Sequence, residues 1–164
     1  MALHGSGARI PKLRIANLHK SFRVNESLLK RVVGRILTFC GPSRPTEFEF
    51  IFMDDGSIKS LNKKYKGRNV PTDVLAFNIK RDEFGPKTDL GEAYISIDRA
   101  LDYSRKCGAD PHLETVLYVV HAILHICGYD DEKSNDRKRM WNKQEEILRH
   151  LWKQEDLSKV LMPR

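Results

Sequence analysis

Cysteine is scarce in this chain, and its three copies, Cys40, Cys107 and Cys127, include no C-x-x-C pair. An odd number of scattered cysteines argues against a disulfide framework and favours a reducing cytoplasm. The sequence also lacks an apolar run long enough to cross a membrane, so no transmembrane helix is predicted. Internal repeats and low-complexity segments are missing as well. Together, these absences leave a folded cytoplasmic protein as the expectation.

The 164 residues match the size of one domain, whose core can form without disulfides. Residues 1–12 lack the continuous apolar core of a secretion signal, and we expect them to form a flexible leader. A single domain is predicted over residues 13–155. The remaining segment, 156–164, is predicted to be a loose tail.

Strand patterns and helix patterns mix along the chain without strict alternation, which indicates an α+β fold with helices on the faces of a small sheet. Alternating or aromatic-rich segments predict strands at 13–18, 47–53, 73–78 and 90–97. Polar residues before amphipathic segments predict helix N-caps at Asn25, at the turn 54–57, and at Asp98, Asp110 and Ser134. Residues 66–72 are predicted to form a polar loop.

The last two predicted helices differ in how much of their surface is apolar. The helix that starts at Asp110-Pro111 is apolar around much of its circumference, which predicts a central and buried position. The last helix is charged on one face. Its stripe of Trp141, Leu148 and Trp152 is predicted to pack against the rest of the fold.

The run H-A-I-L-H-I-C-G-Y-D-D, residues 121–131, contains three side chains that can bind one metal ion. His121 and His125 are one helical turn apart, so their rings project from the same face. Gly128 can end the helix in a left-handed turn, after which the chain can present Asp131 as a third ligand. Three protein ligands and an open position are typical of a catalytic zinc. The pattern therefore predicts a metal-dependent hydrolase.

Other interpretations of this run stay open at this point. One is that both histidines bond to the backbone while Asp131 is an ordinary surface residue. Zinc is the default ion for two imidazoles and a carboxylate, with nickel, manganese and iron(II) as alternatives. The spacing also matches the zinc-protease pattern H-E-x-x-H-x-x-G-x-x-H/D, but Ala122 replaces the glutamate that acts as general base. That replacement argues against peptide hydrolysis.

The other candidate ligands lack comparable partners. Cys127 is two positions after His125 and points off the histidine face, so we predict a small buried apolar residue. His112 lies on nearly the opposite side of the same helix. His19 lies in a segment without ligand partners and is predicted at the surface.

The formal net charge of the chain is +7. A basic balance favours polyanions such as RNA, through counterion release and long-range attraction. Charge alone does not identify the partner, because many basic proteins bind no nucleic acid.

Three segments resemble one protein family and keep the family's order along the chain. The run at 121–131 resembles H-G-x-L-H-L-x-G-Y-D-H, the signature of the YbeY family. The run L-N-K-K-Y-K-G-R-N-V-P-T-D-V-L-A-F, residues 61–77, resembles the family's L-N-x-x-Y-R-G-x-D-x-P-T-D-V-L-S-F. Residues 90–97 resemble the family's L-G-D/E-I-x-I strand.

Members of the YbeY family are metal-dependent endoribonucleases, so the resemblance implies cleavage of single-stranded RNA. It also implies maturation of ribosomal RNA, notably at the 3′ end of the small-subunit RNA, and ribosome quality control, with RNA and the ribosome as partners. One zinc per chain is expected, held by His121, His125 and Asp131. The implied fold is α+β, a small four-stranded mixed sheet packed with about five helices, with the metal-binding helix central.

The chain departs from the family pattern at three positions. Asp131 stands in place of a third histidine, and its negative charge should make zinc a weaker Lewis acid. Ala122 replaces a glycine. Lys66 replaces an arginine with a catalytic role, and lysine keeps the charge but loses the bidentate grip on phosphate. Arg68 can take over that role, so Lys66 and Arg68 are the predicted catalytic residues.

Two rival functions follow from the same features. A metalloprotease would use the same metal helix. A zinc-containing, ribosome-associated RNA-binding protein without catalytic activity would explain the changes at Lys66 and Asp131. In that case Lys66 and Arg68 are solvated loop charges.

Overall fold

The computed structural model describes residues 11–42, 44–81 and 88–164, so the predicted leader lies mainly outside the described residues. Within them the fold is α+β, as predicted. The strands are β1 (Lys12–Asn17), β2 (Phe22–Val24), β3 (Glu47–Met53), β4 (Val74–Arg81), β5 (Thr88–Ser96) and β6 (Leu161–Pro163). The helices are α1 (Glu26–Leu37), α2 (Asp55–Lys66), α3 (Ile97–Cys107), α4 (Pro111–Ile126) and α5 (Ser134–Gln154). None of these helices has the length and apolar character needed to span a membrane.

The main sheet has four strands in the order β1-β3-β5-β4. Strands β1 and β5 both run parallel to the central β3, whereas β4 pairs antiparallel with β5. The prediction of a mixed four-stranded sheet is therefore confirmed. Strands β2 and β6 form a separate antiparallel pair.

Strand β3 sends alternate side chains into two cores, because successive residues of a strand point to opposite faces. Phe48, Phe50 and Phe52 belong to the large core, which α1 and α4 complete. Ile51 and Met53 belong to a smaller core under α2. The sheet is thus covered on both faces, more fully on the side of α4.

Helix α4 lies at the centre of the fold, as predicted. Nine of its sixteen residues are buried, and it packs against β4, β5, α3 and α5. Its start agrees with the sequence pattern, since the Asp110 carboxylate accepts the His112 N–H at 2.8 Å and Pro111 occupies the first turn. Because α4 packs against apolar neighbours on nearly all sides, the position of its last turn in the fold is fixed.

Helix α2 also begins where its cap predicts, because the Asp54 carboxylate accepts the Ser57 N–H at 2.7 Å. It ends at Gly67, whose φ of +70° belongs to the left-handed region that favours glycine. Lys66 is therefore the last residue of the helix, and the prediction that it lies in a loop is wrong. The predicted polar loop starts one residue later.

The predicted cap of α3 is displaced by two residues. Ser96 is the N-cap, and its hydroxyl accepts the Arg99 N–H at 3.2 Å. Asp98 lies in the first turn, where its carboxylate accepts the Asp55 N–H at 2.9 Å and contacts His19 at 2.9 Å. Asp98 thus links three segments instead of capping its own helix.

His19 is not a surface residue, contrary to the prediction, and only 5% of it is exposed. Its Nδ1 accepts the backbone N–H groups of Ser21 and Phe22 at 3.2 and 3.1 Å. The ring proton is therefore on Nε2, which donates to Asp98. These partners satisfy the buried imidazole, and Asp98, which lies 79 residues away, cannot be read from the local sequence.

Helix α5 differs from its prediction at the cap and along one face. Lys133 occupies the N-cap position without a side-chain hydrogen bond, and Ser134 is the first helical residue. Trp141 and Trp152 are 62% and 64% exposed, so the prediction that they pack against the fold is wrong. The buried residues of this helix are Met140, Gln144, Ile147 and Leu151.

The segment predicted as a loose tail is ordered against the body of the protein. A short 3-10 helix at Leu157–Lys159 leads into β6, which pairs with β2. Leu157 is 3% exposed and Val160 is fully buried. This prediction is wrong because the strand that pairs with the segment lies far away in the sequence.

Candidate metal centre

His121, His125 and Asp131 converge at the end of α4. The Nε2 atoms of the two histidines are 3.0 Å apart. One carboxylate oxygen of Asp131 lies 3.4 Å from Nε2 of His125 and 3.9 Å from Nε2 of His121. All three ligand atoms lie within 4.8 Å of one another. The structure therefore brings together the three residues that the sequence pattern predicts.

These separations suit one tetrahedral ion. Ligand atoms about 2.1 Å from a tetrahedral zinc lie about 3.4 Å from one another. Two imidazole nitrogens and a carboxylate oxygen are also the donor types that zinc accepts in three-ligand catalytic sites. The donor set therefore fits zinc with a further position for water or substrate.

The turn after α4 positions the third ligand. Gly128 has a φ of +99°, a conformation that glycine adopts without strain, and its N–H bonds to the His125 carbonyl at 3.0 Å. The Arg137 guanidinium then donates to the backbone carbonyls of Asp131 and Glu132 at 3.0 and 3.2 Å. These contacts hold the loop so that the Asp131 carboxylate faces the two rings.

Gln144 orients one of the histidines. Its side-chain oxygen accepts a hydrogen bond from Nδ1 of His121 at 2.6 Å, and Gln144 itself is only 7% exposed. A proton on Nδ1 leaves the lone pair of Nε2 directed at the cluster. The sequence did contain a signal for this residue, because Gln144 is the one polar position on the buried face of α5.

His125 is held in the form that binds metal. Burial lowers the pKa of His125, and the neighbouring His121 lowers it further, while Asp131 acts in the opposite direction. A lowered pKa favours the neutral imidazole at neutral pH, and only the neutral ring has a lone pair for a metal.

Cys127 is not part of the cluster. Interaction with the neighbouring Cys40 thiol, together with burial, strongly raises the pKa of Cys127. The side chain is half-buried and packs against the large core. The prediction that Cys127 points away from the histidine face agrees with these contacts.

Lys66 and Arg68 line the same cleft as the three candidate ligands. This cleft has a volume of about 470 Å³ and lies between the end of α2, the start of β4 and the end of α4. Its lining residues are Asn62, Lys66, Arg68, Thr72, Asp73, Val74, Leu75, Ala76, His121, His125, Asp131 and Glu132. Two cationic side chains thus share an open space with a cluster that suits a metal ion.

Polar contacts hold the loop opposite the metal cluster. The buried Asn62 amide donates to the Val70 carbonyl at 2.8 Å, which ties the loop to α2. The Asp73 carboxylate accepts the Val74 N–H at 2.9 Å at the start of β4. The Lys66 ammonium lies 5.8 Å from the centre of the Phe77 ring, within the range of a cation–π contact. Sequence patterns did not single out Asn62 for this role.

A family model described as endoribonuclease YbeY matches residues 14–152, which includes the whole cleft and the metal cluster. The chain belongs to the YbeY family. An endoribonuclease YbeY of Pelotomaculum thermopropionicum is 33% identical over 144 residues, covering 84% of this chain and 95% of that protein. The endoribonuclease YbeY of Neorickettsia sennetsu is 35% identical over 127 residues, covering 75% and 85%.

The fold agrees with a solved structure as well. The solution structure of TM1509 from Thermotoga maritima has a TM-score of 0.58 and 25% sequence identity, and the match covers 85% of this chain and 90% of that protein. The resemblance to the YbeY family that the sequence motifs indicated is confirmed. Lys66, Ala122 and Asp131 are among the positions at which the chain departs from the family motifs given above.

Proposed function

We propose that this protein is a zinc-dependent endoribonuclease that cleaves single-stranded RNA during maturation of ribosomal RNA, notably at the 3′ end of the small-subunit RNA. The proposal includes a role in ribosome quality control, with the ribosome as partner and the cytoplasm as location. The observation that carries it is a single cleft that joins the His121, His125 and Asp131 cluster to the cationic Lys66 and Arg68. Membership of the YbeY family supports it.

Five side chains of the cleft have roles in this proposal. His121, His125 and Asp131 hold one zinc per chain. A bound zinc supplies Lewis acidity and makes water a better nucleophile near neutral pH. Arg68 binds phosphate through its planar fork, and the Lys66 ammonium stabilises the negative charge that develops on the phosphoryl group.

The metal site can be tested without any activity assay. After incubation with zinc and removal of excess ion, mass spectrometry should find about one zinc per chain in the wild type. His121→Ala and Asp131→Ala should lose the ion, because two ligands are insufficient. Asp131→His, which installs the residue usual in the family, should retain it. His150→Ala serves as the matched control, since His150 lies outside the cluster.

Cleavage is tested with fluorescent single-stranded RNA and its duplex form. Chelation with EDTA should abolish cleavage and zinc should restore it, because the proposed mechanism needs the ion as a Lewis acid and to activate water. Lys66→Ala should slow cleavage by about 100- to 1,000-fold, the range for removing one group that stabilises developing charge. Lys66→Arg should retain activity. Lys59→Ala, on the same helix but outside the cleft, is the control and should cleave at the wild-type rate.

Three outcomes would contradict the proposal. Wild-type protein that binds no zinc would remove its basis, and cleavage that survives complete metal removal would remove its mechanism. Zinc-loaded protein that binds single-stranded RNA without cutting it would support the rival function of a non-catalytic RNA-binding protein. The proposed place of cleavage is tested with small ribosomal subunits whose RNA has an unprocessed 3′ end.

A further inference from the structure

Both tryptophans of the chain lie on the outer face of α5 and more than half of each is exposed, Trp141 by 62% and Trp152 by 64%. Tryptophan is mostly buried on average in folded proteins, and it is enriched where proteins associate. Two exposed tryptophans on one helix therefore indicate an interaction surface. We call this surface, residues 141–153 of the outer face, the α5 face.

The two tryptophans form the ends of one straight stripe. They are eleven residues apart, which is close to three helical turns, so they lie on the same side of α5 about 16 Å from each other. Glu145 and Arg149 lie between them on the same side and are both exposed. From one end to the other, this stripe of four residues is thus aromatic, acidic, basic and aromatic.

Hollows beside the stripe leave room for a partner. A groove of about 430 Å³ between α4 and α5 has an apolar floor that includes Leu117, Leu148 and Trp152, and its rim carries Glu145 and Arg149. A wider hollow of about 880 Å³ on the other side of the stripe lies against Trp141 and Phe39. The surface is therefore concave on both sides of α5 and has apolar and charged parts.

The order of these residues makes the α5 face complementary to itself. Consider two copies of α5 that pack antiparallel through their outer faces, with the two-fold axis at the level of Ile147 along the helix. Trp141 of one copy then faces Trp152 of the other. Glu145 of each copy then faces Arg149 of the other, so that each ion pair forms twice. A two-fold interface requires this kind of self-complementarity, because the same surface contributes both halves.

We propose that two copies of this protein associate through their α5 faces in an antiparallel, two-fold arrangement. A polyanion such as RNA suits this surface less well, because Glu145 lies at its centre and repels phosphate. A second copy instead pairs that carboxylate with Arg149. Gln144 projects from the buried face of α5 toward His121, so association through the outer face leaves the metal cleft open.

The expected dimer is weak. Each exposed tryptophan contributes roughly 150 Å² of contact area, so four of them provide roughly 600 Å². Neighbouring leucines and charged side chains bring the total toward the lower end of the range of about 1,200–2,000 Å² for specific interfaces. We therefore expect a dimer that forms at micromolar protein concentrations and dissociates on dilution.

A charge swap tests the proposal on the full chain by sedimentation equilibrium between about 1 and 200 µM. Glu145→Arg and Arg149→Glu should each weaken dimerisation at least tenfold, because each places like charges opposite one another. The double variant with both changes should recover wild-type association, since it restores the pairs with reversed sign. Lys59→Glu, a charge reversal on α2, is the control and should dimerise normally. All three positions are exposed, and circular dichroism checks that every variant is folded.

Tryptophan fluorescence gives a second readout, because the only two tryptophans lie in the proposed interface. The wild-type emission should shift to the blue as concentration rises, and the shift should be absent in Glu145→Arg. A wild-type protein that stays monomeric up to about 200 µM would overturn the proposal, as would a double variant that fails to recover. Monomeric protein whose tryptophan emission is quenched by single-stranded RNA would also overturn it and would assign the α5 face to RNA.

Discussion

A single buried amide sets the direction in which one candidate metal ligand, His121, points. Gln144 accepts the Nδ1–H of His121 at 2.6 Å, and no other hydrogen bond to that nitrogen is found in the described part of the chain. Partners of this type fix the tautomer and the ring orientation of metal-binding histidines, and their loss typically lowers metal affinity. At the residue scale, the geometry of the candidate metal cluster therefore depends on a fourth residue outside the three candidate ligands.

We expect Gln144→Leu to lower the affinity for zinc by about 10- to 100-fold, because His121 loses the bond that holds Nε2 toward the cluster. Competition with a chromogenic chelator measures the affinity independently of RNA cleavage. Gln144→Glu keeps an acceptor and should rescue binding. Gln154→Leu, at the exposed end of the same helix, is the control. Unchanged zinc affinity in folded Gln144→Leu protein would show that the bond has no such role.

Glu155 is a second residue whose charge is used internally. Its carboxylate is only 8% exposed and accepts hydrogen bonds from Arg35 at 2.9 Å and Arg31 at 3.2 Å. The bond from Arg35, followed by that from Arg31, lowers the pKa of Glu155 below its ordinary value, against the effect of burial. A lowered pKa means that the folded state favours the ionised carboxylate.

Because of Glu155, the free energy of unfolding should therefore decrease as the pH is lowered. The contribution of Glu155 is fully present above the ordinary glutamate pKa of about 4.3 and is lost as the pH falls through the lowered folded-state pKa. We expect Glu155→Gln to cost about 1 kcal/mol at neutral pH and almost nothing near pH 3. Urea unfolding across this pH range measures the difference. Glu146→Gln, which breaks an exposed pair with Lys143, should show little effect at any pH. An equal cost of Glu155→Gln at both ends of the range would contradict the linkage.

At the scale of elements, the C-terminal segment closes the structure. The 3-10 helix and β6 bury Leu157, Val160 and Leu161, and β6 pairs with β2 near the other end of the chain. The Arg164 guanidinium also donates to the backbone carbonyls of β1 and its following turn. These contacts explain why residues 156–164, which the sequence predicted to be a loose tail, are ordered in the structure.

Truncating one of these side chains should therefore destabilise the whole fold. Leu157→Ala should lower the free energy of unfolding by about 2–4 kcal/mol, the cost of a cavity at a fully buried leucine. Urea unfolding measures the change. Lys159→Ala, in the same short helix but exposed, is the control and should cost less than about 0.5 kcal/mol. A cost for Leu157→Ala as small as that of the control would mean that the segment is dispensable.

At the scale of the whole molecule, the net charge of +7 is unevenly placed. Lys63, Lys64 and Lys66 lie in the last turn of α2, and Arg68 follows after Gly67. Of these four, Lys66 and Arg68 line the candidate metal cleft, and Lys63 and Lys64 lie beside it in sequence. The acidic Asp131 and Glu132 lie on the opposite side of the cleft. Phosphate groups of RNA are therefore expected to approach from α2.

Binding of single-stranded RNA should weaken steeply with salt because counterions are released. The logarithm of the binding constant should fall with the logarithm of salt concentration by about 0.7 per phosphate contact. Lys66→Ala and Arg68→Ala should each reduce this slope by about 0.7, whereas Lys59→Ala should leave it unchanged. Fluorescence anisotropy with metal-free protein measures the slopes without cleavage. A slope that neither cleft variant alters would place the RNA elsewhere on the surface.

The sequence predicted best the features that depend on neighbouring residues. The caps at Asn25, Asp54 and Asp110 are found where expected, since a cap bonds to a backbone N–H only two or three residues away. The caps predicted at Asp98 and Ser134 are wrong. Asp98 is used instead by His19 and Asp55, which belong to other elements.

By itself, the sequence determined the candidate metal cluster, because helical geometry places His121 and His125 on one face and Gly128 permits the turn that returns Asp131. These relations span eleven residues and need no distant partner. The tertiary structure alone decided that Gln144 orients His121, that Lys66 and Arg68 face the cluster across a cleft, and that the C-terminal segment is ordered. Each of these depends on elements far apart in the chain, whose relative positions result from burial of the shared core and not from local propensity.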